Sequence, residues 1–339
     1  MSLKAIAQEL GISITTVSRG LNGYSDVAEH TRQLIMAAAE ARGYLPNASA
    51  RRLKTGRTDA VGLVYPMVTA ALYDPNLLDI VANITSAFAD FNIDIVMVSD
   101  QEHHGHSPYV SLIESGRVDA LIVMDVMNED PRINYLQSRG HKFLSFGRCN
   151  TSKPYAWIDF DCEIGSRRAV RYLLDKGHQQ IAYLGGNDER AFISQRKDGF
   201  IQEMNAAGIA VPEHYILQCA RNRRSGMTAM KQILTYPDRP TAILVDSSML
   251  ADGAIMVAEQ AGLIPGEDIS FIAYDGLPPD TYSDKHMTSV QLSTSEKKSK
   301  QIADMTLALI RGEKPENLHV LWEPEIVEGN TVKDLRTAS

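Results

Sequence analysis

The chain has 339 residues, 44% hydrophobic and 22% charged, with 34 Lys+Arg against 42 Asp+Glu. That is the composition of a globular protein large enough for two or three domains. No run approaches the roughly 18 apolar residues of a membrane helix, the start "MSLKAIAQEL" lacks the apolar stretch of a signal peptide, and three cysteines (Cys149, Cys162, Cys219) without metal spacing predict idle thiols in a reducing cytoplasm.

Charge is unevenly placed. Residues 1–58 hold eight Lys/Arg against four Asp/Glu, leaving 26 against 38 beyond them. A basic head on an acidic body predicts that the head meets a polyanion. "LKAIAQELGISITTVSRGLNG" reads as two short helices. Leu3, Ile6, Ala7 and Leu10 share one face, Gly11 suits a left-handed cap, and Ser13 caps a second helix from Ile14 to about Leu21. Helix, glycine turn, helix is the helix-turn-helix of DNA-binding proteins, although a plain helical hairpin has the same pattern. A third helix is expected from about Glu29 to Arg42, closed by Gly43, with Val27, Leu34, Ile35 and Ala38 facing the first pair. Pro46 ends it, and "ASARRLKTGR" follows as a basic linker around Leu53.

These segments, with "TRQLIMAAAEARGYLPNASARRLKTGRT", resemble the lac/gal repressor family of bacterial transcription regulators, and most closely its raffinose- and α-glucoside-type members. The resemblance runs the length of the chain. It implies a DNA-binding domain at 1–46, a hinge helix at 47–58, an effector-binding and dimerisation core at 59–331 and a tail at 332–339. Ile14 and Thr15 match the variable base-reading pair, and Thr16, Ser18 and Arg19 the near-invariant positions. Asn22, Thr31, Tyr44 and Asn47 match backbone contacts. In the hinge, Ala50, Arg51, Leu53 and Lys54 would meet DNA, the leucine wedging into the minor groove. The chemistry agrees: arginine suits guanine O6/N7, hydroxyls and amides suit phosphates, and an apolar wedge kinks a duplex. Gly20 departs from the family's alanine or valine. At up to about 1 kcal/mol for glycine within a helix, it predicts a recognition helix less stable off DNA.

From residue 60, strand-like runs ("AVGLVYP", "IDIVMVSD", "VDALIVMDV", "KFLSFGR", "IAYLGG", "TAILVD", "DISFIAYD") alternate with helical stretches, predicting parallel sheets flanked by helices. Ligands bind such sheets at strand C-termini, here Tyr65–Pro66, Asp125, Gly147–Arg148, Gly185–Gly186, Asp246–Ser248 and Asp275. The overall fold class is therefore α/β, an all-α head joined to a core. The resemblance implies that this core is like a periplasmic binding protein, with two subdomains (60–158 plus 289–318, and 159–288 plus 319–331) and an effector cleft between them. Arg196 and Asp275 match the family's central effector ligands, and Ser247 and Ser248 stand where asparagine and aspartate are usual. Asp74-Pro75-Asn76-Leu77 replaces a segment rich in aromatics, which argues for a polyhydroxylated ligand over a stacked purine. Phe160, Trp157 and Arg221 are further pocket candidates.

His103, His104 and His106 sit in a loop without the convergence a metal needs, so no metal or cofactor is expected. Asp159 and Asp161 could face one way like an acid/base pair, but no nucleophile motif accompanies them; no catalysis is expected. "SRRAVR" reads as a solvated helix face. The expected partners are double-stranded operator DNA, a small sugar effector and a second copy of the chain, with no membrane. The ending "VKDLRTAS" carries no leucine heptads for a coiled-coil tetramer. The alternative is a sugar-binding or sensing protein of the same core without operator control.

Overall fold

The computed structural model describes residues 2–21, 24, 26–44, 56–65, 75–99, 107–292 and 296–337. It divides into two compact units, Met1–Thr58 and Asp59–Ser339. Most of the hinge residues, Pro46 through Lys54 among them, lie outside the described residues, as do Asn22 and the three clustered histidines.

The first unit is helical: α1 (Leu3–Leu10), α2 (Ile14–Leu21) and α3 (Glu29–Ala41). Gly11 takes a left-handed φ of 66°, and its N–H reaches Ala7 O. Ser13 Oγ accepts the Thr16 N–H at 2.9 Å, so the turn expected at 11–13 is built from a glycine cap and a serine cap. Ile6, Ala7, Val17, Val27, Ile35, Ala38 and Ala39 form its core. Leu34 was expected to join them but is 47% exposed, because α3 buries the stripe through Ile35, Ala38 and Ala39 and Leu34 falls one residue, about 100°, off it.

The second unit holds two six-stranded sheets. The first runs β11-β5-β4-β3-β1-β2, from β1 (Ala60–Tyr65), β2 (Asp94–Ser99), β3 (Ala120–Val123), β4 (Phe143–Phe146), β5 (Ala156–Phe160) and β11 (His319–Trp322). All of its pairings are parallel. Helices α4 (Pro75–Ala89), α5 (Ser107–Glu114), α6 (Pro131–Arg139) and α11 (Glu296–Arg311) supply side chains to its two core clusters. The second runs β12-β10-β9-β8-β6-β7, from β6 (Ile181–Gly186), β7 (Ile216–Cys219), β8 (Ala242–Val245), β9 (Ser270–Tyr274), β10 (Thr288–Gln291) and β12 (Glu325–Val327). It is parallel except for β10–β12. Helices α7 (Cys162–Asp175), α8 (Ala191–Ala206), α9 (Arg223–Ile233) and α10 (Ser248–Gln260) contribute to its core.

The chain crosses between sheets after Phe160, after Gln291 and after Trp322, a few residues beyond the expected boundaries at 158, 288 and 318. β10 thus lies in the second sheet and β11 in the first. Short strands such as "TSVQ" and "HVLW" fit either sheet locally; long-range pairing, His319 opposite Trp157 for β11, decides. "SRRAVR" is also more than a solvated face: Arg167 and Arg171 converge on the buried Glu203 of α8. Among the described residues no helix is long and apolar enough to cross a membrane.

Candidate functional site

Two surfaces carry the polar chemistry, one in each unit. On the head, α2 turns Val17 and Gly20 inward and leaves Ile14 47% exposed, with Thr15 beside it at the surface. The Thr16 hydroxyl is 2.8 Å from Ser13 Oγ, which places it in the helix cap. Arg19 is paired with Asp26. Tyr44 packs against the head core, and Thr31 is half-buried in the first turn of α3.

Gly20 has a packing reason. A methyl there would sit 2.5 Å from Ile35 Cδ1, so Ile35 occupies the space that a larger residue would take. Gly20→Ala should therefore cost α2 at most about 1 kcal/mol net, because Cδ1 is the movable end of the Ile35 side chain and the gain in helix propensity offsets part of the overpacking. Combined with Ile35→Val it should be tolerated, which amide hydrogen exchange of α2 measures. Additive losses in the double variant would mean that Ile35 is not the constraint.

In the core, a cavity of about 330 Å³ opens at the ends of the parallel strands. Its lining includes Asp125, Phe160, Arg196, Arg221, Ser247, Ser248 and Asp275, so most of the expected pocket residues do converge. Asp125 and Asp275 hold matching places just past β3 and β9, both with left-handed backbones (φ 53° and 59°), a conformation aspartate tolerates better than most residues. Asp275 Oδ1 accepts the Leu292 N–H at 3.2 Å. Ser247 Oγ caps α10 through the Leu250 N–H at 3.4 Å. Trp157 is not in the lining. It stands early in β5, away from the strand C-termini, stacked on His319 at 4.9 Å with Arg148 5.3 Å away. Asn76 lies in α4, but its side chain is outside the described ones.

Arg196 is the cavity's buried cation. It lies 3.8 Å from the Tyr274 ring centroid and 4.6 Å from that of Phe192, and Nη1 donates to the Asp246 carbonyl. Its Nε has no hydrogen-bond partner among the described residues. Burial works against its charge, but Cys162, Tyr274, Asp246 and Asp275 outweigh that and raise its pKa above the ordinary arginine value. Asp246 is wholly buried. Its Oδ2 accepts the Gly186 N–H at 2.7 Å, while Oδ1 has no hydrogen-bond partner among the described residues. Burial raises its pKa against the opposing pull of Arg196 and Arg221. Burial likewise raises Asp159, which Arg148 Nε holds at 2.8 Å, and pushes the Cys162 thiol to about 11. Asp161 does not join Asp159; it caps α7 through the Ile164 N–H at 3.1 Å.

The cavity's two lips touch. Arg190, at the start of α8, lies 3.2 Å from Asp125 Oδ2 and 2.8 Å from Asp188, and the Ala191 N–H donates to Val126 O at 2.8 Å. Sequence reasoning missed Arg190, along with Asp79, Asn83, Phe146 and Phe192 in the lining. Asp79 and Asn83 could have been found one and two helical turns on from Asn76. Among the described residues no group of three or more His, Cys, Asp or Glu could hold a metal ion.

Residues 2–47 match the family described as bacterial regulatory proteins, lacI family. Residues 58–323 match periplasmic binding proteins and sugar binding domain of LacI family. The chain is 40% identical over 333 residues to the HTH-type transcriptional regulator RafR of Escherichia coli, covering 98% of each chain. It is 31% identical over 335 residues to AglR of Rhizobium meliloti, covering 96% of this chain and 93% of that one. A crystal structure of the Lac repressor dimer bound to operator and the anti-inducer ONPF matches with a TM-score of 0.83 at 25% identity, covering 98% of this chain and 99% of that one.

Proposed function

Because the chain belongs to the LacI family of bacterial regulatory proteins, we propose that it represses a sugar-utilisation operon in the cytoplasm. It binds a near-palindromic operator as a homodimer and is released by a neutral α-galactoside or α-glucoside. Ile14, Thr15 and Arg19 read bases, and Arg196 and Asp275 hold the sugar.

The observation that carries the sugar reading is the cavity lining. Four carboxylates (Asp79, Asp125, Asp159, Asp275) face three guanidiniums (Arg148, Arg196, Arg221), beside the rings of Phe146, Phe160 and Phe192. Carboxylates accept and guanidiniums donate, so alternating hydroxyls of a sugar find both partners while its apolar face meets a ring. The lining has no surplus of positive charge to hold a phosphate or carboxylate ligand. About 330 Å³ is within the range of small-molecule sites.

Switching follows from the lips. The Asp125–Arg190 pair and the Ala191-to-Val126 hydrogen bond join segments from the two sheets. A ligand that strengthens this closure shifts the core by its differential affinity for the two states, and the DNA affinity of the head responds.

Thermal-shift titration with raffinose, melibiose, maltose, galactose, glucose and glucose 6-phosphate tests this, since a ligand bound only by the folded state raises Tm. A neutral α-galactoside or α-glucoside should raise Tm by several degrees and release DNA, with no shift from the phosphate. A shift with glucose 6-phosphate alone would overturn the neutral-sugar reading. Sugar binding by a full chain that never retains DNA would favour the sugar-binding alternative.

A further inference from the structure

Arg19, near the end of α2, is held on two sides. Its Nε donates to Asp26 Oδ1 at 3.1 Å, and its Nη2 pairs with Asp26 Oδ2. Both contacts use the same edge of the guanidinium, so the carboxylate grips it side-on as a fork. The Tyr24 ring lies 4.9 Å from Cζ, within cation–π range. These supports are themselves anchored. The Tyr24 N–H donates to Arg19 O at 3.1 Å, and the Tyr24 carbonyl accepts from Val27 N at 3.3 Å and from Arg32 Nη2 at 2.9 Å. Arg32 belongs to α3 and Val27 is buried in the head core. Ring and carboxylate are thus carried on backbone clipped to the rest of the head.

Such a bridge does little for folding. The two side chains are 40% and 54% exposed, and exposed pairs contribute little in water. For DNA binding in general it is unfavourable, since a carboxylate beside the reading arginine offsets a charge that could neutralise phosphate. Its value lies in direction.

Given the base-reading role proposed for Arg19, we propose that Asp26 is its positioning residue. The side-on grip occupies the Nε edge and leaves the Nη1–Nη2 edge, which suits the O6 and N7 acceptors of guanine. An ungripped arginine samples many rotamers and serves phosphates as readily as bases. A gripped one has less freedom left to lose on docking and presents one fork in one direction. Asp26 therefore raises discrimination at the expense of general affinity, and the two should move in opposite directions when it is neutralised.

The test uses the full chain, as parent, Arg19→Ala and Asp26→Asn. Preferred duplexes are selected from a randomised pool at fixed salt. Affinities are then measured for the parent's preferred duplex, its single-base variants and a scrambled duplex. Arg19→Ala should lose preference for one guanine in each half-site. Asp26→Asn should weaken preference at that same guanine by roughly 2- to 12-fold, the effect of freezing one rotamer-rich side chain, while affinity for the scrambled duplex holds or rises. Unchanged guanine preference in Asp26→Asn, where Arg19→Ala has lost it, overturns the positioning role. Equal weakening on every duplex, scrambled included, overturns it too, because Asp26 would then only hold the head together. If Arg19→Ala keeps every base preference, the base-reading role itself fails.

Discussion

Arg196→Met should weaken sugar binding by roughly 10- to 150-fold, the worth of one hydrogen bond to a charged group. It should also destabilise the core by about 1–3 kcal/mol, the usual cost of leaving a buried acceptor without its donor, here the Asp246 carbonyl. The two losses have different origins. The first follows from the cavity, which Arg196 lines. The second follows from Asp246, wholly buried, whose carbonyl loses its donor and whose charge Arg196 is the foremost group to offset. Asp246→Asn removes that stranded charge, so the double variant should regain part of the stability and none of the sugar response. The pH dependence supplies the sign. Burial raises the Asp246 pKa, so the folded state keeps its proton to higher pH than the unfolded chain does. The stability linked to that proton is fully present below the unfolded value of about 3.9 and is lost as pH rises through the folded value. Without Arg196 the folded value rises further. Denaturant titrations should therefore show the gap between Arg196→Met and the parent narrowing as pH falls, and no such narrowing once Asp246→Asn is added. A gap independent of pH would mean that Asp246 is not the group left stranded.

The sequence is most legible where one local rule suffices. Gly11 and Ser13 announce the break between α1 and α2 because a left-handed cap and a side-chain cap need only their own neighbours. Asp125 and Asp275 stand out as the polar residues ending apolar strands, where parallel sheets gather ligands. Leu34 misleads because two adjacent apolar positions compete for one helical stripe, and α3 buries Ile35. Trp157 misleads because aromatic character says nothing about which end of a strand faces the cleft. The groups that sequence reasoning overlooks depend on convergence. Arg190 matters because Asp125 arrives from another sheet. Asp246 matters because Gly186 and Arg196 close around it. The Asp26 grip on Arg19 likewise shows only when loop and helix are folded together. No periodicity encodes such meetings.

Removing residues 1–58 should eliminate DNA binding at every salt concentration while sparing sugar-induced stabilisation. The remaining chain carries 26 Lys/Arg against 38 Asp/Glu, so its average field repels phosphate and affinity must come from the head. Each phosphate that the head neutralises adds about 0.9 to the slope of log K against log salt, so the full chain should lose DNA steeply as salt rises. The core has apolar clusters of its own, separate from the seven-residue cluster that holds the head together, and Asp59–Ser339 forms a compact unit. The truncated chain should therefore still unfold cooperatively and still gain Tm with sugar. DNA retention by the truncated chain would move the DNA contact into the core. Loss of the sugar shift in a chain that still melts cooperatively would show that the cleft needs the head to reach its binding state, so that the coupling runs in both directions, as linkage demands of any effector that alters DNA affinity.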